Sequence, residues 1–160
     1  MLDLAANIDL GSLSHSELAD LARLLSEQES ALNDNRLELY QPHAGQLAFH
    51  KSRAIIRMLI TGNRYGKTTA SVIEAIWLAL GTHPYHKITV PNRGKMYGES
   101  FPTIDETLRL KFEEWLPRKF LSNKKPFVHN QMGHLIGVNF QNGSMIRIGS
   151  YDQEESKAEG

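Results

Sequence analysis

The sequence predicts an α/β fold, and three segments of the chain support this prediction. Residues 54–60 form a short run rich in isoleucine, whose length and composition suit a buried strand. A glycine-containing loop follows this run, and after it comes a segment of strong helix formers. Residues 134–150 alternate apolar and polar side chains on both sides of Asn142-Gly143, which predicts an antiparallel hairpin with a type I′ turn. The predicted sheet therefore contains an antiparallel part.

The composition is that of a soluble globular protein. The chain has 160 residues, of which 41% are hydrophobic and 22% are charged, so we expect it to fold around a core. It has no cysteine, which excludes disulfides and thiolate metal sites and suits a reducing cytoplasm. The first ten residues carry no basic side chain, and no apolar run approaches the ~18 residues of a membrane span. We therefore expect neither a targeting segment nor a membrane anchor.

Charge is distributed unevenly, although the formal net charge is zero. Residues 1–50 hold two basic and eight acidic side chains, whereas residues 51–130 hold fourteen basic and six acidic ones. Some of the basic side chains cluster at Arg93, Lys95, Arg118, Lys119, Lys124 and Lys125. This middle region either faces the phosphates of a nucleotide or nucleic acid, or is an ordinary solvated surface.

The first predicted helix begins after Ser14, within an N-terminal helical arm that we assign to residues 1–36. Ser14 as the N-cap and Glu17 three residues later form a capping box, and Leu13 and Leu18 are spaced for a hydrophobic staple. One face of the helix is apolar, comprising Leu18, Leu21, Ala22, Leu25 and Leu32. This face is expected to pack on the next domain of the same chain or on another protein.

A second short helix is predicted around residues 42–50, with Pro42 in its first turn. Within it, Gln46 is either an ordinary surface residue or a reader of adenine, because its amide matches the N6 and N7 edge of that base. The run 54–60 contains Arg57, which is an awkward residue for a strand covered on both faces. We expect Arg57 to lie near the entrance of the strand.

The loop between the predicted strand and the next helix carries the chemistry expected of a phosphate-binding loop. Gly62 and Gly66 permit close approach and left-handed backbone angles, and N–H groups at the helix start attract phosphates. Lys67 is expected to reach the β- and γ-phosphates, and the Thr68 hydroxyl to bind Mg²⁺. The pattern departs from the usual one, because Thr61 stands where the first glycine is expected. The alternative is a tight turn containing Gly-Lys-Thr by chance.

The helix after the loop is expected to end at Gly81, a residue favoured just past a helix C-terminus. Another amphipathic helix is predicted between Pro102 and Pro117. Its apolar face comprises Ile104, Leu108, Phe112, Trp115 and Leu116. The histidine pairs, at His83 and His86 and at His129 and His134, lack further ligands at suitable spacing, so no metal site is expected there.

Three stretches together resemble one family: "LYQPHAGQLAFH", "TGNRYGKTTAS" and "GVNFQNGSMIRIGSYDQ". They are similar to the N-terminal part of the ATPase domain of phage terminase large subunits, the motors that package viral DNA into procapsids. The resemblance covers residues 37–160 and implies a partial P-loop NTPase sheet that follows the helical arm. It implies nucleotide binding by Gln46, Gly62, Asn63, Arg64, Tyr65, Gly66, Lys67, Thr68 and Thr69. Lys67 would be catalytic, and Arg64 would either contact the γ-phosphate or stiffen the loop.

The resemblance also implies partners. These are ATP, Mg²⁺, double-stranded DNA, the portal protein and the small terminase subunit, with assembly as a homo-oligomeric ring. The protein would act in the host cytoplasm and transiently at the procapsid portal, without a membrane.

Hydrolysis needs an acidic pair after a buried strand, and no apolar run ending in Asp-Glu follows Lys67. Asp105-Glu106 lies in a predicted helix instead. We expect the acidic pair within roughly 25 residues past position 160, and a nuclease domain farther on. The alternatives are another nucleic-acid-stimulated ATPase, such as a helicase, and a non-hydrolysing module that binds nucleotide or a partner protein.

Overall fold

The structure is a computed structural model that describes residues 14–152, without the side chains of residues 32–35. It divides into two compact units, Met1–Asn33 and Asp34–Gly160. Helix α1 spans His15–Asn35. The predicted capping box at its start is confirmed, because the Ser14 N–H donates to the Glu17 carboxylate at 2.8 Å and the Glu17 N–H donates to Ser14 Oγ at 3.4 Å. Leu13 lies outside the described residues, so the hydrophobic staple remains a prediction.

The apolar face predicted for α1 is largely open to solvent in the structure. Leu18 is 38% exposed and Leu25 is 52% exposed, and Leu21 is half-buried. Charged side chains on the helix pair with each other, since Arg23 lies within 4.0 Å of Asp20 and Glu27. Such exposed pairs contribute little to stability.

The second unit contains helices α2 to α5 and strands β1 to β4. The helices are α2 (Ala44–Lys51), α3 (Lys67–Leu80), α4 (Phe101–Ile104) and α5 (Leu110–Trp115), with a π-helical turn at Asp105–Arg109 and 3₁₀ turns at Arg36–Leu39 and Arg118–Phe120. The strands are β1 (Arg93–Gly98), β2 (Phe127–His129), β3 (Leu135–Asn139) and β4 (Met145–Ser150).

The four strands form one mixed sheet in the order β1-β4-β3-β2. Strand β1 is parallel to β4, with Lys95 opposite Arg147, and the β4–β3 and β3–β2 pairs are antiparallel. The α/β class and the antiparallel hairpin are therefore confirmed. In residues 14–152 no helix is both long and apolar enough to cross a membrane.

The core lies on one face of this sheet, where α3 and the helical segment of residues 101–115 pack. Ile73 and Ile76 of α3, Phe112 of α5 and Ile146 and Ile148 of β4 are 5% exposed or less. Each such side chain contributes roughly 1.5–3 kcal/mol of burial energy. On the opposite face of the sheet Arg93, Lys95 and Arg147 are exposed, whereas Tyr97 and Met145 are half-buried.

The helix predicted between Pro102 and Pro117 is confirmed, and it contains a π-helical turn that the sequence does not indicate. Ser100 caps its start by accepting from the Thr103 N–H at 3.4 Å. In the π-helical turn, Asp105 accepts from the Leu135 N–H at 3.1 Å and contacts His134 Nδ1 at 2.7 Å. The turn therefore joins the helix to the start of β3.

The buried strand predicted for residues 54–60 is wrong. This segment bends at residues 55–56 and pairs with no strand of the described chain, and Ile55, Ile56, Met58 and Ile60 are 77–102% exposed. A buried strand requires neighbouring strands and a covering layer on each face, and residues 14–152 supply neither to this segment. Arg57 is half-buried, unlike the isoleucines beside it. This explains why a charged residue occurs in the apolar run.

The predicted place of Pro42 in the first turn of α2 is also wrong, because the helix starts at Ala44. His43 is the N-cap: its ring Nδ1 accepts from the Gln46 N–H at 3.4 Å, and Gln46 Oε1 accepts from the His43 N–H at 3.2 Å. This reciprocal pair is a capping box, and it fixes the start of the helix beyond Pro42.

The type I′ turn predicted for the hairpin is wrong as well. Such a turn requires positive φ at both central residues, but in the described chain Gly143 has φ 84° and Asn142 has an ordinary negative value. The Gly143 N–H donates to the Phe140 carbonyl at 3.2 Å, which makes a longer turn. The Asn142 side chain accounts for the difference, since it accepts from the Ser144 N–H and donates to the Ala79 carbonyl, each at 2.9 Å.

Candidate functional site

Residues 61–69 form a compact loop that enters α3 at Lys67. Gly66 is the N-cap of α3 and has the left-handed backbone predicted for it, with φ 76°. The matching prediction for Gly62 is wrong, because the second left-handed residue of this loop is Arg64, with φ 62°. A Cβ added to Gly62 would meet nothing within 4 Å. Gly62 therefore leaves open space beside the loop, and the sharp turn occurs at Arg64.

The Lys67 side chain folds back into the loop. Its Nζ donates to the Thr61 carbonyl at 2.9 Å and to the Gly62 carbonyl at 2.7 Å. A cation is thereby placed between the backbone of the loop and the start of α3. Within residues 14–152 no carboxylate forms an ion pair with this ammonium, so an anion that approaches the loop meets a positive charge held only by two carbonyls.

The N-terminus of α3 is suited to an anion. Gly66 offers no side-chain cap, and the first backbone bond of the helix is from the Ala70 N–H to the Gly66 carbonyl at 2.9 Å. The N–H groups of Lys67, Thr68 and Thr69 precede that bond and point out of the helix end, where the helix dipole favours negative charge. Thr68 and Thr69 are half-buried. The chain thus places a lysine, helix N–H groups and a threonine hydroxyl together, which is the donor set that a phosphate group with Mg²⁺ requires.

Helix α2 packs directly on this loop. The Gln46 side chain is 5% exposed, and its Nε2 donates to the Gly66 carbonyl at 3.1 Å. His43 Nδ1 accepts from a backbone N–H, so its Nε2 carries the proton and donates to the Tyr65 carbonyl at 3.0 Å. The His43 and Tyr65 rings also pack edge to face, with centroids 4.1 Å apart. Two hydrogen bonds and a ring contact therefore join α2 to the residues that precede Lys67.

Gly66 is required at its position for two reasons. Its φ of 76° is a backbone angle that other residues adopt at a cost. A Cβ at this residue would also lie 2.6 Å from Gln46 Nε2, which is too close for any contact. The contact between α2 and the loop therefore depends on a glycine at residue 66.

The remaining predicted loop residues, Asn63, Arg64 and Tyr65, are exposed. Tyr65 has the contact with His43 described above. The structure thus brings Gln46 and the residues from Thr61 to Thr69 together.

A buried polar cluster beside the loop was missed by sequence reasoning. At its centre is Glu74 of α3, whose side chain is 7% exposed. Its Oε1 accepts from Arg57 at 2.6 Å, and its Oε2 accepts from His50 Nδ1 at 2.7 Å and from His83 Nε2 at 3.1 Å. Glu74 therefore joins α2, α3, the segment before the loop and the segment after α3. Two features of the sequence could have indicated this cluster: Glu74 is the only acid in an apolar helix, and Arg57 is the only base in the apolar run 54–60.

One hydrogen bond fixes the protonation of His83 in this cluster. His83 Nδ1 accepts from the Tyr85 N–H at 3.1 Å, so its one proton is on Nε2 and the ring is neutral. His50 Nδ1 lies 2.7 Å from Glu74 Oε2, and His50 Nε2 lies 3.1 Å from the Tyr40 hydroxyl. Arg57 is then the partner that balances the charge of Glu74.

Burial and hydrogen bonding shift several pKa values in the cluster. Burial alone raises the pKa of Glu74, but hydrogen bonds from His50, Arg57 and His83 outweigh it and lower the pKa to about 2. Burial lowers the pKa of His83, against the opposing hydrogen bond to Glu74. Burial and the Glu74 charge raise the pKa of Tyr40 to about 12. Glu74 is therefore ionised at neutral pH, while His83 and Tyr40 are neutral.

The other basic residues singled out in the sequence lie in three places. Arg93 and Lys95 of β1 face outward beside Arg147 of β4, and together with Gly94 and Met145 they line an open cavity of about 480 Å³. Arg118 and Lys119 lie in a 3₁₀ turn, and Lys124 and Lys125 lie in the loop before β2. The sheet cations and the loop of residues 61–69 are thus on different elements.

In the described part of the chain, no group of three or more histidine, cysteine, aspartate or glutamate residues is placed to hold a metal ion. A scan against protein-family models found no match, and searches of curated proteins and of solved structures found none. Function is therefore inferred from the site itself and from the sequence motifs.

Proposed function

We propose that the chain is the ATP-binding part of a viral terminase large subunit, which powers the packaging of double-stranded DNA into procapsids by ATP hydrolysis. The observation that carries the nucleotide-binding part is the position of Lys67. Its ammonium lies inside the loop, 2.7 and 2.9 Å from two backbone carbonyls, directly before the N-terminus of a 14-residue helix. That arrangement suits the phosphate groups of a nucleotide, because it pairs a cation on a flexible side chain with helix N–H groups.

The proposal assigns a role to each residue of the loop. Lys67 leaves the carbonyls of Thr61 and Gly62 and directs its charge to the β- and γ-phosphates. The N–H groups at the start of α3 hydrogen-bond the phosphate oxygens. The Thr68 hydroxyl is a ligand for Mg²⁺, which when bound neutralises charge on the phosphates. Asn63, Arg64, Tyr65 and Thr69 line the same loop.

Two rival functions use the same loop. A helicase-type ATPase would keep ATP binding but couple it to strand separation, and a non-hydrolysing module would bind nucleotide without turnover. The terminase proposal is favoured because its support is threefold: the loop, the glutamine of the preceding helix and the hairpin after the loop occur in the order that the resemblance implies. The whole protein would carry the acidic pair and a nuclease that cuts DNA.

DNA is the proposed macromolecular partner, and one observation favours a particular surface. Arg93, Lys95 and Arg147 lie side by side on adjacent parallel strands, with Lys95 directly opposite Arg147. Three cations on a flat sheet face suit the regularly spaced phosphates of a duplex. The portal protein, the small terminase subunit and a ring of identical subunits complete the proposed assembly, which would act in the host cytoplasm and at the procapsid portal.

Calorimetric titration of this chain tests the nucleotide proposal. ATP with Mg²⁺ should bind with measurable heat, and adenosine should bind far more weakly, because the loop holds phosphates. GTP separates recognition of the base from recognition of the phosphates. Equal binding of ATP and adenosine, or no binding of either, would contradict a phosphate-binding loop.

A further inference from the structure

Helix α3 holds the segment before the loop at two points. Lys67, in the first turn, bonds the carbonyls of Thr61 and Gly62 at 2.9 and 2.7 Å. Glu74, two turns farther along, accepts from Arg57 at 2.6 Å. These two attachments bracket the residues between Arg57 and Thr61.

The segment has few other attachments. Ile55, Ile56, Met58 and Ile60 are each at least 77% exposed, so burial of their side chains does not fix the backbone. A segment without strand pairing, in which only Arg57 and Leu59 are half-buried, has little to offset its conformational entropy. Its position therefore depends on the two attachments to α3 and on the contacts of Arg57 with Phe49 of α2.

The two attachments differ in whether they persist when nucleotide binds. The attachment through Lys67 is one flexible side chain, which the proposed function requires at the phosphates. The attachment through Glu74 is buried, and His50 and His83 hold its carboxylate from two further elements. Arg57 is also fixed from its other side, because it donates to the Phe49 carbonyl at 3.1 Å and lies 4.8 Å from the centroid of the Phe49 ring.

We infer that Glu74 is a positioning residue that, through Arg57, holds the entry to the phosphate-binding loop in place when Lys67 leaves the loop carbonyls. This inference rests on the proposed function for the reason that Lys67 moves. The attachment itself can be tested without nucleotide, because Lys67→Ala removes the first attachment in the free chain.

A single spin label reports on the segment. The chain has no cysteine, so Ile60→Cys provides one labelling site between the two attachments, at a side chain that is 82% exposed. The label should be similarly ordered in the parent and after Lys67→Ala alone. After Lys67→Ala with Glu74→Gln, its rotational correlation time should shorten about threefold or more, as for a loop that moves on the nanosecond scale.

Controls separate positioning from general loss of structure. Arg57→Gln removes the same attachment together with the contacts of Arg57 to Phe49, and it leaves the buried Glu74 with both histidines, so its effect on the label should equal or exceed that of Glu74→Gln. Glu114→Gln removes a glutamate that pairs with Arg36 and Lys111 elsewhere, and it should leave the label unchanged. Combining Arg57→Gln with Glu74→Gln should add nothing further, because both act on one contact.

The nucleotide arm uses the same variants without the label. Glu74→Gln and Arg57→Gln should weaken ATP binding about tenfold, because the bound loop loses its remaining attachment, whereas Glu114→Gln should not. A label that is as ordered in Lys67→Ala with Arg57→Gln as in Lys67→Ala alone would overturn the inference. Absence of ATP binding by the parent chain would instead overturn the proposed function and leave the label experiment to judge the attachment.

Discussion

The Gln46 side-chain nitrogen donates to the Gly66 carbonyl at 3.1 Å, across twenty residues of chain. Its amide oxygen at the same time accepts from the His43 N–H at 3.2 Å. The Gln46 amide therefore uses one N–H and one oxygen lone pair within the protein, and a second N–H and a second lone pair are left for another partner. Gln46 supports the loop in this arrangement, and substitution of Gln46 tests the proposal that it also reads adenine.

Replacing Gln46 by alanine separates these two tasks. Loss of loop support should weaken ATP and GTP binding equally, by about 3–10-fold for one neutral hydrogen bond. Loss of adenine reading should lower the ratio of ATP to GTP affinity as well. Calorimetry with both nucleotides measures the two effects, and Gln28→Ala on the exposed part of α1 is the control. An unchanged affinity for both nucleotides would show that Gln46 is not part of the nucleotide site.

Lys67→Ala tests the central residue of the proposed site. It should weaken ATP binding about 100-fold, because a charge-assisted bond to the phosphates is lost, and in the intact protein it should abolish ATP hydrolysis. Lys87→Ala, at an exposed lysine outside the loop, is the matched control. Normal turnover by the intact Lys67→Ala protein would rule out the phosphate-binding assignment.

Acid should destabilise the fold through the Glu74 cluster. The pKa of Glu74 is about 2 in the folded chain against an ordinary 4.5, so its contribution is complete above pH 4.5 and is lost as the pH falls towards 2. That contribution is on the order of 3 kcal/mol. The lowered pKa of His83 has the same sign, because the unfolded chain binds its proton first as the pH falls below 6.5.

Chemical denaturation between pH 7 and pH 3 measures this effect as a falling free energy of unfolding. Glu74→Gln should flatten the part of the curve below pH 4.5, while Glu27→Gln on α1 should not. A free energy of unfolding that rises as the pH falls would show that the cluster is arranged differently.

The cationic sheet face should make DNA binding depend on salt. Replacing Arg93, Lys95 and Arg147 by glutamine removes three charges, so the slope of log affinity against log salt should become shallower by about 3. Filter binding or fluorescence anisotropy over a salt series measures this slope. Lys124→Gln with Lys125→Gln tests the rival basic cluster before β2, and a larger effect there would move the DNA contact away from the sheet.

Local signals predicted much of the fold, because they depend on short stretches of chain. The capping box at Ser14, the end of α3 at Gly81 and the hairpin before Ser150 each follow from a few neighbouring residues. The run 54–60 failed for the opposite reason. Its apolar pattern predicts burial, but a strand is buried only by neighbouring strands and covering layers, which residues 14–152 do not provide.

The candidate site shows the same division. The loop was predicted because its residues are contiguous, whereas the cluster around Glu74 draws on residues as far apart as His50 and His83. Long-range contacts of this kind leave only an isolated charge in an apolar stretch as a signal. Arg57 was noticed for that reason, but the sequence did not identify its partner.

The left-handed backbone of Arg64 has an energetic consequence. A residue with a Cβ pays roughly 1–2 kcal/mol for this conformation, and glycine does not. Arg64→Gly should therefore raise the thermal midpoint of unfolding, and it removes the cation from the loop at the same time. If the Arg64 guanidinium contacts the nucleotide, Arg64→Gly should raise the thermal midpoint and weaken ATP binding. Thermal stability and ATP affinity should then change in opposite directions.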